Sequence, residues 1–153
     1  VTFRRLAPLH PRITCIVVGD AAGDGYIKGL AALTPHPTRT LRWPDGWTIE
    51  DAVGWILDGQ PDLAESIEGI EPAPADTPTL VARLKLKDRD AGGLKQDRVA
   101  CESVAQAIGG STACRSRGLT LLNALASECL GIPSDMFAER EVINGMAVRV
   151  FTP

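Results

Sequence analysis

The first nineteen residues contain no aspartate or glutamate, and the first acid of the chain is Asp20. Any acidic partner for Asp20 must therefore come from later in the sequence or from outside it. The four cysteines (Cys15, Cys101, Cys114 and Cys129) show no CxxC spacing. They read as reduced, buried thiols of a cytosolic protein rather than a disulfide framework. Only two histidines occur, His10 and His36, each isolated and flanked by proline. Both read as surface loop residues, not ligands. No apolar run approaches the roughly 18 residues that a membrane span needs, and the opening residues lack the form of a signal peptide. The expected location is cytoplasmic, with no membrane partner. A net charge of −3 gives no strong field toward nucleic acid or membrane. That disfavours a stand-alone DNA-binding module but leaves room for an enzyme that brings phosphate in through a metal ion. There is no internal repeat.

What is present points to one ordinary domain with a real core. The chain has 153 residues, 44% hydrophobic and 23% charged. Its organising stretch is Ile13 to Gly25. Ile13, Cys15, Ile16, Val17 and Val18 form a short apolar run rich in β-branched residues, which predicts a buried strand. The run stops in a turn of small residues, Gly19 to Gly25, and Tyr26, Ile27, Leu30 and Leu33 follow at helical spacing. Asp20 thus sits at a strand's carboxyl end in a glycine-rich turn that opens a helix. Ligands of open α/β sheets collect there. No GKS or GKT follows, so a phosphate cradle of the P-loop kind is not expected, and an acid suits a cation better.

Pro8 and Pro11 predict an irregular lead-in over residues 1–12. A first helix is expected at about 24–33 and a second strand over Thr38 to Trp43, joined as a right-handed β-α-β unit. Thr48 caps a helix carrying Ile49, Val53, Trp55, Ile56 and Leu57, with Glu50 and Asp51 in the turn that the helix dipole favours for acids. Trp43, Trp47 and Trp55 are expected to pack together over this helix. Residues 68–78 read as an exposed, mobile Pro/Ala/acid loop, Thr79 to Lys87 as a helix, and Val99 to Ile108 as another, broken by Gly109-Gly110-Ser111. A long amphipathic helix follows over Cys114 to Leu130, with Leu119, Leu121, Leu122, Leu125, Ala126 and Cys129 inward. Gly131 ends it. Ser134 caps a short helix over Asp135 to Val142, Asn144-Gly145 forms a tight turn, and Met146 to Phe151 alternates as a final strand.

Val18-Gly19-Asp20-Ala21-Ala22-Gly23 resembles the acidic-x-acidic-x-x-Gly turn of Toprim domains. Trp43-Pro44, Thr48-Ile49-Glu50-Asp51 and Trp55-Ile56-Leu57 resemble the Toprim region of OLD-family (overcoming lysogenization defect) ATP-dependent endonucleases. So do Lys95 before a helix and the Cys114-Arg115-x-Arg117 start of a Leu-rich helix. The resemblance covers about residues 13 to 130. It implies a Toprim-like α/β fold: a small, mostly parallel sheet flanked by helices, with a helical C-terminal part. As segments, residues 1–70 would be the α/β core, 71–96 a loop and linker region, and 97–153 a helical part with the final strand. The chain would be the C-terminal portion of a longer protein, since it starts at Val1 without methionine.

The same resemblance implies metal-dependent cleavage of nucleic acid, DNA foremost, with an ATPase domain upstream and a homo-oligomeric assembly. Mg²⁺ or Mn²⁺ would be held by carboxylates, since these hard cations prefer oxygen. Asp20 would be a ligand and act in catalysis, Glu50 a second ligand, and Asp51 its substitute. Lys95 would be the cation that neutralises charge on the scissile phosphate; it reads equally as a solvated loop lysine. The sequence departs from the family at two places. Val18 stands where the turn has its first acid, and no residue before Asp20 supplies the glutamate that Toprim domains carry on an earlier strand. Asp24 is the nearest replacement carboxylate. These departures keep open a catalytically inactive Toprim-like assembly or interaction module. A receiver-like or small-molecule-binding α/β domain is a third reading, but the acids a receiver needs on its first and third strands have no place here.

Overall fold

The computed structural model describes residues 13–153 together with Phe3 and Leu6. The irregular lead-in expected over 1–12 lies outside the described residues except at those two positions, and both are helical. A proline bars the helix interior around it, not helical residues further upstream.

In chain order the elements are β1 (Thr14–Val17), α1 (Ala21–Ala31), β2 (Arg39–Arg42), α2 (Ile49–Leu57), a 3-10 turn (Pro61–Ser66), α3 (Thr77–Lys85), α4 (Arg98–Gly110), α5 (Thr112–Cys129), β3 (Phe137–Ile143) and β4 (Met146–Phe151). This is an α/β chain with one four-stranded mixed sheet of order β1-β2-β4-β3. β1 pairs β2 and β2 pairs β4 in parallel, while β3 runs antiparallel to β4. The contacts divide the chain into two compact units. A sheet unit takes the residues up to Ile49 and Leu121–Pro153, and a helical unit takes Glu50–Thr120. The three consecutive segments read from the sequence follow other boundaries.

In the sheet unit, alternation along β2 sends Thr40 and Arg42 to one face and Arg39 and Leu41 to the other. On the first face, Ile27 and Ala31 of α1 pack with Met146 and Val148 of β4, and Thr40 donates to the Met146 sulfur. On the second face Phe151 gathers Trp43, Trp47 and Phe137, with ring centroids 5.5 to 6.1 Å away. Phe151 is the centre for Trp43 and Trp47, while in the helical unit the Arg117 guanidinium lies 4.2 Å from the Trp55 ring centroid.

The short helix expected over Asp135 to Val142 is instead strand β3. Asn144 (φ 52°) and Gly145 (φ 86°) make a two-residue turn that folds β3 back on β4. The hairpin's ladder outweighs the helix preference of its Ala, Glu and Arg residues. The buried face of α5 also differs from the expected one. Cys114, Leu121, Ala124 and Glu128 are buried, while Leu119, Leu122, Ala126 and Cys129 are exposed and Leu125 is half-buried. Cys101 is exposed too, so only Cys114 fits the fully buried thiol expected of all four. Burial pushes the Cys15 thiol up from its ordinary value.

In the helical unit, Leu57, Ala64, Ile67, Ile70, Leu80, Leu84, Leu94, Ala100 and Val104 form the core. The 68–78 loop is not simply exposed, because Ile70 and Pro74 are buried in it. α4 continues through Gly109 and Gly110, and the break falls at Ser111, whose hydroxyl accepts from the Cys114 amide at 3.2 Å.

Asp76 caps α3, accepting from the Thr79 amide at 2.7 Å. Hydrogen bonding from Thr79 holds its carboxyl below the ordinary value. A depressed folded pKa means stabilisation that is present above the unfolded carboxylate pKa and lost as pH falls through the folded one. Acidification through that window should therefore loosen the start of α3. The protection factor of the Thr79 amide, its intrinsic exchange rate divided by the observed rate at the same pH, is expected to fall as the pH drops, and Asp76→Asn should flatten that response.

Candidate active site at the strand ends

At the carboxyl end of β1, Gly19 donates to the Trp47 carbonyl at 2.7 Å and accepts from the Gly46 amide at 2.7 Å. A Cβ on Gly19 would lie 1.6 Å from the Pro44 carbonyl oxygen, and one on Gly23 would lie 1.9 Å from the Val18 oxygen. The turn is thus closed to side chains at both glycines, and the exposed acid between them is Asp20. Its Oδ1 accepts from the Gly23 amide at 2.9 Å and caps α1, which begins at Ala21 rather than at residue 24. A carboxylate has two oxygens and about four acceptor positions, so capping through Oδ1 leaves acceptor capacity facing solvent.

Asp24 has a different situation. Its Oδ1 lies 3.0 Å from Nε of Arg42, whose side chain is 3% exposed. Arg42 also reaches Asp45 at 2.7 Å, the Trp43 carbonyl at 3.1 Å and the Gly19 carbonyl at 3.1 Å. A buried guanidinium with this set of acceptors holds the β1 turn, the start of α1 and the turn after β2 together. Arg140 of β3 stands 4.0 Å from Asp24 and 3.9 Å from Asp45.

The helical unit contains the other residues read from the sequence. Glu50 and Asp51 lie in the first turn of α2. Lys95 Nζ is 3.2 Å from Glu50, and Lys85 Nζ is 2.5 Å from Asp51. Lys95 is an exposed turn residue that pairs with Glu50. Backbone bonds fix its place: the Lys95 amide donates to the Leu86 carbonyl at 3.1 Å, and the Leu94 amide donates to the Arg83 carbonyl at 2.8 Å. Gly93 permits this, because a Cβ there would sit 2.4 Å from the Leu86 oxygen.

Arg42, Arg140 and Glu128 were not singled out from the sequence. Arg42 gives a signal in retrospect, since an arginine at an inward strand position must find acceptors. Arg140 lies in Glu139-Arg140-Glu141, where charge interrupts alternation just before the Asn-Gly turn. Glu128 shares the helical spacing of Leu121 and Ala124.

Among the described residues, no group of three or more His, Cys, Asp or Glu side chains stands placed to hold a metal ion. An all-protein cage of the calcium type is therefore not offered by them. Mg²⁺ has a lesser demand: it keeps several waters and binds through one or two carboxylates plus substrate phosphates. Asp20, with free carboxylate capacity at a strand end, fits a cation of that kind. Among the described residues no helix is long and apolar enough to cross a membrane. Comparison with protein-family models, curated proteins and solved structures finds no match.

Proposed function

We propose that this chain is a Toprim-like domain of the OLD type that hydrolyses nucleic-acid phosphodiesters with Mg²⁺ or Mn²⁺, with Asp20 as a metal ligand and Lys95 as the charge-neutralising cation. The observation that carries this reading is Asp20 itself. It is an exposed carboxylate at the carboxyl end of a parallel strand, in a turn with no room for a side chain at Gly19 or Gly23. The two residues that the resemblance gives to phosphoryl chemistry, Glu50 and Lys95, meet at 3.2 Å although they are distant in sequence, and the ammonium opposes a cation at Glu50 as Arg42 does at Asp24.

When bound, such an ion supplies Lewis-acid stabilisation of phosphoryl oxygens and a water of lowered pKa. The chain's own part is to hold and orient. Asp20 offers its carboxylate from a capped, fixed position. Glu50 holds the Lys95 ammonium in place, and Lys95 meets the charge that develops on phosphate. β1 pairs only with β2 among the described residues. A strand carrying the family's glutamate could add to its other edge without disturbing that register.

A second reading is favoured by one contact. The buried Arg42 guanidinium on Asp24 opposes a cation at that carboxylate, and Val18 leaves no acid in its place. On this reading the domain does not cleave and serves assembly. A cleavage assay on labelled DNA and RNA with Mg²⁺ and Mn²⁺ separates the two. Metal-dependent cleavage that disappears in Asp20→Asn supports the nuclease. A folded wild-type chain that cleaves neither substrate supports the inactive module.

A further inference from the structure

The two arginines at the carboxyl end of the sheet are held in different ways. Arg42 is buried, and its donors are engaged by Asp24, Asp45 and the carbonyls of Gly19 and Trp43. Arg140 is 44% exposed in its side chain. Among the described residues it is held only by two contacts, 4.0 Å to Asp24 and 3.9 Å to Asp45. Those distances exceed good hydrogen-bonding range, and a guanidinium carries five N–H donors. Most of the Arg140 fork is therefore available.

The backbone explains why this side chain points where it does. In the β3–β4 ladder, Glu139 faces Arg149 and Glu141 faces Val148. The register shifts between Glu139 and Glu141, which leaves Arg140 without an opposite residue. Alternation from Ala138, which faces Val150, places Arg140 on the face that holds Asp24, the first-turn acid of the helix that Asp20 caps.

We propose that Arg140 grips the phosphate of a nucleic-acid backbone lying across the carboxyl end of the sheet, beside the Asp20 turn. Its planar fork matches two phosphate oxygens. Asp24 and Asp45 stand near it without hydrogen-bonding it, and Arg42 holds those two carboxylates. This assignment rests on the phosphodiester reading of Asp20 and names the protein group that holds the substrate there.

The test is anisotropy binding of a short, labelled single-stranded DNA with phosphorothioate linkages, in Ca²⁺, over a range of salt. Arg140→Gln should weaken binding roughly tenfold, the worth of one charge-assisted pair. It should also lower the slope of log K against log salt by about 0.7, one phosphate contact on a single strand. Arg140→Lys should keep the slope and lose part of the affinity, because it retains the charge without the fork. All variants should melt together with wild type, since a structural role alone moves melting and not the salt slope. Cleavage of ordinary DNA with Mn²⁺ is measured in parallel on wild type and Asp20→Asn. Asp20-dependent cleavage with unchanged DNA binding in Arg140→Gln overturns the grip and keeps the nuclease. Arg140-dependent binding with no cleavage by wild type keeps the grip and removes the nuclease. A wild-type chain that binds no DNA overturns both.

Discussion

Glu128→Ala should destabilise the protein by about 3–5 kcal/mol, the usual loss when one partner of a buried ion pair is removed. The Glu128 side chain is 0% exposed and lies between Arg39 at 2.6 Å and Arg149 at 3.1 Å. It also accepts from the Ser134 amide at 2.7 Å. Arg149 continues the network by donating to the carbonyls of Ser134 and Phe137. One carboxylate therefore ties α5 to β2, to β4 and to the turn before β3. Alanine would leave two guanidinium groups, each mostly buried, facing an uncompensated space. Glu128→Gln keeps the shape and an acceptor for Ser134 and should lose less. Urea unfolding checks this, and the loss should change little with salt because buried pairs are weakly screened. A loss under about 1 kcal/mol would place Glu128 with ordinary surface pairs and remove it as the anchor of the sheet unit.

Lys95→Met should lower kcat by about 10²–10³, the usual effect of deleting one preorganised group that meets transition-state charge. Its ion pair with Glu50 is partly exposed, with 37% of the lysine side chain accessible. As a stabilising contact it is therefore worth only about 0–1 kcal/mol. The two roles separate cleanly: a large fall in kcat with a small change in stability assigns Lys95 to the chemistry. A fall in stability with unchanged kcat makes the pair with Glu50 its whole purpose. Lys95→Arg retains the charge and should recover part of the rate.

The β1-α1-β2 unit was legible because its signals are local. A β-branched apolar run, a glycine turn and helical spacing lie next to one another between Ile13 and Leu33. The Asn144-Gly145 turn was legible for the same reason. β3 was not, since Ala138 to Val142 carries helix-forming residues and becomes a strand only through its ladder with β4. The inward face of α5 was misread because leucines mark a core only when something packs on them. Here Leu121 is buried as expected, but Leu119 and Leu122 are exposed and Cys114, Ala124 and Glu128 are buried in their place.

The candidate site shows the same division. Asp20 at a strand end follows from adjacent residues. The contacts of Lys95 with Glu50, of Arg42 with Asp24, and of Arg140 with Asp24 and Asp45 join separate parts of the chain. No spacing announces them. The register shift at Arg140 is likewise a property of the paired strands and leaves no mark in β3 alone.

The most direct measurement is Mn²⁺ binding, followed by electron paramagnetic resonance, with a non-cleavable phosphorothioate oligonucleotide present, on wild type and Asp20→Asn. If Asp20 holds the ion together with a substrate phosphate, wild type takes up Mn²⁺ with the oligonucleotide and Asp20→Asn does not. Equal uptake by both proteins, or none by wild type, would contradict the account, and Asp20 would be left as the N-cap of α1.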